Sequence, residues 1–270
     1  MFPPPRKRFG QNFLQDPTII EQILTAIAPQ AGDRLVEIGP GRGAITQPLL
    51  RQAGRLDVVE LDRDLIDPLR RACQGLGHLT IHQADALAFA LCPLAGPNGK
   101  VRIVGNLPYN ISTPLLFRFL EQKACIQDLH LMLQKEVVDR IVAPPGSKTY
   151  GRLSVMVQTW CQALALFDIP AQAFFPAPKV NSAFLRLLPL DPVPLTPRNP
   201  RHHAHLVALA FSQRRKTLRN SLKDLVSSAD FDRLNIDPGQ RAEDLPVSAF
   251  VALADVTCNT SYDDHESGKS

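Results

Sequence analysis

The 270-residue sequence contains no C-x-x-C pair, and its five cysteines (Cys73, Cys92, Cys125, Cys161, Cys258) are widely spaced and odd in number. That spacing signals neither a zinc site nor a disulfide framework, so free thiols in a cytosolic protein are expected. No apolar run approaches the roughly 20 residues that a membrane span needs. The opening Met1-Phe2-Pro3-Pro4-Pro5 runs straight into Arg6-Lys7-Arg8 without an apolar stretch, so no secretory signal is expected. Internal repeats are absent too. Net charge is only +4, which permits a polyanionic partner without requiring one. With 44% hydrophobic and 21% charged residues, the chain reads as a packed globular protein and not a disordered one.

What is present is a rhythm. Apolar strand-like runs fall at 34–38, 56–61, 79–82, 101–104 and 129–133, with amphipathic stretches between them such as 64–73 and 113–122. Such β-α-β-α alternation predicts an α/β fold with a parallel sheet and helices on both faces. Two more strands are expected at 163–169 and 181–188, and helices at 135–142 and 151–161. Pro48 is tolerable only near a first turn, so its helix must start late or kink. The Pro-rich stretch 189–200 reads as a linker, followed by short helices without strands. The expected partition is a domain at 1–190, a small helical domain at 191–258, and a polar, disordered tail at 259–270.

Four of the predicted strand ends carry unusual chemistry. "VEIGPGRGAIT" (36–46) ends a strand and places Gly39, Gly41 and Gly43 at alternate positions. Glycine allows the tight turn and a close ligand approach. The same run also fits the dinucleotide pattern G-x-G-x-x-A. Glu60 ends the next strand about 20 residues beyond Gly39, the offset at which an acid reaches ribose hydroxyls. Asp85 in "HQADAL" can accept from an adenine amino group, though capping the following helix is the plainer role. "GNLPYNIS" (105–112) brings an amide, Asn106, and an aromatic ring, Tyr109, together across Pro108. The Asn106 amide oxygen and the Leu107 carbonyl can accept both hydrogens of an exocyclic amine. The Tyr109 ring offers a face for a flat base. Ligands in such sheets bind at the carboxyl ends of strands, so all four motifs converge on one crevice. A dehydrogenase would share the glycines and Glu60, but no histidine base stands at a strand end and "NLPY" would be unexplained.

These motifs, with "RFGQNFLQD" (8–16), "FFPAPKVNSAFLRL" (174–187) and "AFSQRRKTLRNSL" (210–222), resemble the rRNA adenine N6-dimethyltransferases. The resemblance is strongest to their bacterial small-subunit members. It runs from about Arg8 to Asp255, with Asn12 standing where many members have His. It implies a class I S-adenosylmethionine-dependent methyltransferase, Rossmann-like, with seven mostly parallel strands and a small all-helical C-terminal domain. It implies S-adenosylmethionine as methyl donor and no metal. The reaction it implies is N6,N6-dimethylation of two adjacent adenosines in a hairpin near the 3′ end of 16S rRNA. Carried over by motif, Asn12, Leu14, Gly39, Gly41, Glu60, Asp85 and Asn106 would bind the cofactor. Asn106 and Tyr109 would be catalytic, and Tyr109 and Phe174 would sandwich the target adenine. A cytoplasmic monomer acting on the small ribosomal subunit or its precursor is implied. The rival readings are a large-subunit (23S) enzyme that confers antibiotic resistance and an assembly factor whose binding matters more than its catalysis.

One further scarcity bears on the partner. From Arg201 to Lys223 the chain has no Asp or Glu, while Arg214, Arg215, Lys216 and Arg219 crowd its centre. One-signed charge beside a base-sized crevice is the footprint expected for RNA phosphates. His202, His203 and His205 adjoin it and read as surface residues, not metal ligands.

Overall fold

The computed structural model describes residues 2–6, 10–97, 99–193, 195–213 and 215–258. The chain forms two compact units. One runs up to Asp139 and includes Gln162–Pro189; the other takes Arg140–Cys161 and the chain from Leu190 onward. The partition is therefore not the contiguous one expected from sequence: the segment 140–161 groups with the C-terminal helices. Its anchors are the Tyr150 hydroxyl, which donates to the Leu245 carbonyl at 2.9 Å, and the Gly146 N–H, which donates to the Glu243 carbonyl at 2.7 Å. Neither can be read from sequence, because each joins residues about a hundred positions apart.

In the first unit, strand β1 (Phe13–Leu14) precedes helix α1 (Pro17–Ile27). Then come β2 (Leu35–Ile38), α2 (Thr46–Ala53), β3 (Arg55–Glu60), α3 (Arg63–Ala72) and β4 (His78–Gln83). The short α4 (Cys92–Ala95) leads to β5 (Val101–Asn106), α5 (Ser112–Glu121), β6 (Ile126–Gln134) and α6 (Lys135–Ile141). After α7 (Arg152–Gln158), which belongs to the second unit, the chain returns as β7 (Cys161–Ile169), β8 (Phe174–Phe175) and β9 (Ser182–Pro189). The sheet order is β4-β3-β2-β5-β6-β9-β7. Strands β4 to β6 of this order pair in parallel, and β9 runs antiparallel to β6.

The local reasons are legible. β2 and β5 are buried almost throughout, as parallel strands covered on both faces must be. Asp16 caps α1 by accepting from the Thr18 and Ile19 N–H groups, and Pro17 takes the first helical position, where no N–H is needed. α2 begins at Thr46, which leaves Pro48 inside the first turn, as its chemistry requires. The pair β1 and β8 was not anticipated: two residues carry no periodicity. Their antiparallel register sets Phe13 opposite Phe175 and Leu14 opposite Phe174.

Two expectations fail here. Cys92 and Cys125 are not free but form a disulfide across 33 positions of sequence. Folding brings α4 beside the turn that precedes β6, where the Gln122 side chain accepts from Leu91 N–H and donates to the Phe89 carbonyl. His203 is not a surface residue but fully buried, on the inner face of α8 (Pro200–Ala210). Burial holds it neutral, its pKa down at about 4. The second unit continues through α9 (Leu218–Ser221), α10 (Ser228–Arg233) and α11 (Val247–Val256), with no strand among the described residues after β9. The tail expected to be disordered lies outside the described residues.

Candidate functional site at the carboxyl ends of the strands

In the order β4-β3-β2-β5-β6, successive connections run one way from β2 and then the other. The crevice between β2 and β5 is therefore the switch point at which ligands of doubly wound sheets bind. A cavity of about 220 Å³ opens there, and residues from the ends of β2, β3, β4 and β5 line it together with Gly10–Leu14. All lie in the first unit.

The glycine turn after β2 is held by the Gly39 N–H, which donates to the Val59 carbonyl at 2.9 Å. Gly39 and Gly41 adopt φ of 68° and 57°, where a side chain is strained. At Gly41 space forbids one as well: a Cβ would meet the Phe13 ring at 3.1 Å. That ring carries the Arg42 guanidinium 4.5 Å from its centroid. Gly41 thus admits the N-terminal segment as well as a ligand, which sequence did not reveal.

Glu60, 7% exposed, accepts from the Asp62 N–H at 2.7 Å through Oε1 and from the Gly41 N–H at 3.3 Å through Oε2. Burial raises its pKa, those N–H groups oppose the rise, and neighbouring Asp62 adds to it. Deeper in β2, fully buried Glu37 also lines the cavity. Its Oε2 has no hydrogen-bond partner among the described residues, and burial pushes its pKa up to about 8. Asp85 is exposed at the rim, with Oδ1 accepting from the Leu87 N–H at 2.9 Å. No helix follows it directly, only a turn at 86–88, so the expected helix cap is instead a turn bond, and Asp85 lines the cavity.

Asn106 ends β5 and donates from Nδ2 to the Asn12 carbonyl at 3.0 Å. That bond fixes which way the amide points and leaves Oδ1 as the acceptor for a ligand. The Tyr109 hydroxyl shares a 2.7 Å hydrogen bond with the Oγ of fully buried Ser182. Burial raises the Tyr109 pKa, so the phenol stays protonated.

The cavity thus gathers Asn12, Leu14, Gly39, Gly41, Glu60, Asp85, Asn106 and Tyr109. It does not gather Phe174. That ring is 4% exposed and packs in the core with Leu14, Ile19 and Ile23, whereas Phe175 is 51% exposed. Alternation along a strand sends successive side chains to opposite faces, and the first phenylalanine took the core face. In the second unit, Arg215, Lys216 and Arg219 are exposed, and Arg214 lies outside the described residues. Sequence reasoning also passed over Gln11, Asp62 and Ser182. Asp62 carried one usable signal, an Asp immediately before a helix.

The family model for ribosomal RNA adenine dimethylases matches residues 4–258. The chain belongs to that family. As a ribosomal RNA adenine dimethylase it is an S-adenosylmethionine-dependent methyltransferase, and the cavity suits such a donor. Two carboxylates at neighbouring strand ends and a glycine turn whose positive φ keeps side chains out are what a polar, nucleoside-bearing ligand would engage. The dimethylase is 55% identical over 252 residues to ribosomal RNA small subunit methyltransferase A of Xylella fastidiosa, covering 93% of this chain and 95% of that one. It is 54% identical over 255 residues to the protein of that name from Acidithiobacillus ferrooxidans, covering 94% and 95%. A dimethyladenosine transferase from Plasmodium falciparum superposes with a TM-score of 0.78 at 25% identity, over 89% of this chain and 95% of that one. The 23S rRNA methyltransferase ErmE shares the fold, with a TM-score of 0.72 at 23% identity over 91% and 99%.

Proposed function

We propose that the chain dimethylates N6 of two adjacent adenosines in a hairpin near the 3′ end of 16S rRNA, within the small ribosomal subunit or its precursor. It does so in the cytoplasm as a monomer, and its binding contributes to subunit biogenesis. The observation that carries this reading is the Asn106 amide, oriented by Asn12 and set beside Tyr109 in the same cavity as Glu60. The name shared by relatives more than half identical supports the small subunit over the large one.

In this reading Glu60 accepts from the cofactor's ribose hydroxyls and Asp85 from its adenine amino group. Gly39 and Gly41 lie along its methionine and ribose parts, and Asn12 and Leu14 close over it. The bound cofactor supplies an electrophilic methyl on sulfur. The target adenine leaves its stack and rests on the Tyr109 ring. Its N6 is a weak nucleophile because the lone pair is delocalised into the ring. Asn106 Oδ1 and the Leu107 carbonyl accept its hydrogens and hold them away from the ring plane, which returns the lone pair to nitrogen. On taking a methyl the nitrogen sheds one hydrogen as a proton to solvent, and the second transfer uses the one hydrogen left. Orientation and electrostatics carry the acceleration, so no strong general base is required. Exposed Arg215, Lys216 and Arg219, with Arg214, meet RNA phosphates.

The test is incubation with unmodified small subunits and methyl-labelled cofactor, followed by nucleoside analysis. Label in N6,N6-dimethyladenosine is expected. Label on large subunits alone, or none, would overturn the reading. Neutralising Arg215, Lys216 and Arg219 together should flatten the salt dependence of RNA binding by roughly 2–3 units of log–log slope without changing cofactor affinity.

A further inference from the structure

Gly10–Leu14 line the cavity, and a set of contacts outside it holds Gln11 in place. Their hub is Asp62, whose side chain is 3% exposed and does not line the cavity. Oδ1 accepts from Arg6 Nη1 at 2.9 Å and from the Asp64 N–H at 3.3 Å, while Oδ2 accepts from Gln11 Nε2 at 3.0 Å. Arg6 also pairs with Asp64, and its backbone N–H donates to Gln11 Oε1 at 2.8 Å. Gln11 is thereby held at both ends of its amide. The next residue, Asn12, supplies the carbonyl that orients Asn106. On the other side, the Asp62 N–H is the 2.7 Å donor to Glu60 Oε1.

We propose that Asp62 is a positioning residue that latches Gln11, and with it Asn12, at the wall of the cofactor cavity and joins that placement to Glu60 and Asn106. The inference rests on the cofactor reading above. Capping of α3 does not account for the arrangement. A cap uses one acceptor on one N–H, here the longest of the three bonds, and Asn, Ser or Thr would serve equally. The two shorter bonds go to residues more than fifty positions upstream. A carboxylate can take all three donors because it has only acceptors to offer. An amide that keeps the cap leaves its oxygen at the Oδ1 position, where Arg6 then meets a neutral acceptor, and turns its NH₂ on the Gln11 amide, which also donates.

Asp62→Asn therefore separates the two roles. Expected for the full chain is a melting temperature near that of the wild type and an S-adenosylmethionine dissociation constant raised about tenfold, as for loss of a charge-assisted hydrogen bond. Arg6→Ala, at a partly exposed position that does not endanger folding, should raise it about threefold. The double variant should be no worse than Asp62→Asn alone, because one latch is broken once. Single-turnover methylation at saturating cofactor should also fall in Asp62→Asn, since Asn106 loses its orientation. Unchanged affinity and rate in Asp62→Asn, or effects that simply multiply in the double variant, would overturn the latch. Glu60→Ala run alongside tells the failures apart. If it too binds normally, the cofactor reading is wrong; if it alone loses binding, only the latch is wrong.

Discussion

Glu60 offers the sharpest quantitative test, because its surroundings specify what each substitution removes. Both carboxylate oxygens are already engaged, by the Asp62 N–H at 2.7 Å and the Gly41 N–H at 3.3 Å. A glutamine can keep only one of these bonds: its oxygen takes one N–H and its NH₂ then confronts the other. Glu60→Gln should therefore both weaken the ribose contact and loosen the glycine turn. Each lost charged hydrogen bond is worth roughly 1.5–3 kcal/mol, so affinity for S-adenosylmethionine should fall by about 10- to 150-fold. Glu60→Ala should fall at least as far. The raised pKa adds a second signature. The carboxylate is the binding form, so wild-type affinity should be full above that raised value and decline as pH falls through it, at higher pH than an ordinary glutamate would dictate. In Glu60→Gln that decline should vanish. Isothermal calorimetry across pH measures both. An affinity unchanged in Glu60→Gln, or a variant with the wild-type pH profile, would remove Glu60 from the cofactor site.

Other outcomes follow from single contacts. Tyr109→Phe loses the bond to buried Ser182, which costs about 1 kcal/mol, and should keep single-turnover methylation within severalfold of wild type. Tyr109→Ala loses roughly 1–3 kcal/mol of stacking as well and should be far slower at low RNA concentration; equal inactivity of the two variants would refute stacking. Glu37 has a folded pKa of about 8, above its unfolded value of about 4.5. The folded state therefore binds the extra proton, so the contribution of Glu37 to stability is fully present below pH ~4.5 and is lost as pH rises toward ~8. Glu37→Gln should abolish that slope in cofactor-free thermal melts, and a wild-type slope in the variant would contradict it. Reducing the Cys92–Cys125 disulfide, or replacing both cysteines by alanine, should lower stability by about 2–4 kcal/mol in denaturant titrations, given its 33-residue separation. No change would mean that the bond does not form in solution.

The parts legible in sequence are those set by local chemistry. Continuous apolar runs declared buried parallel strands, and turn residues at their ends declared a crevice, because both follow from a strand's two-residue period and the conformational freedom of glycine. The spacing from Gly39 to Glu60 was readable for the same reason: a βαβ unit has a nearly constant length. Asp85 and Asn106 followed from their place at strand ends. Tertiary structure alone decided what depends on distant segments meeting. Phe174 and Phe175 are indistinguishable in sequence, and only pairing with Phe13–Leu14 sent the first into the core. Cys92 and Cys125 carry no spacing signal, and His203 looks like its neighbours until α8 packs. The segment 140–161 joins the C-terminal unit through contacts about a hundred residues long in sequence. Asp62 reads as a helix cap, and becomes a hub only when Arg6 and Gln11, more than fifty positions upstream, are brought to it. Local propensity is written residue by residue, but which side chain a buried acceptor meets is settled by the packing of segments far apart in the chain.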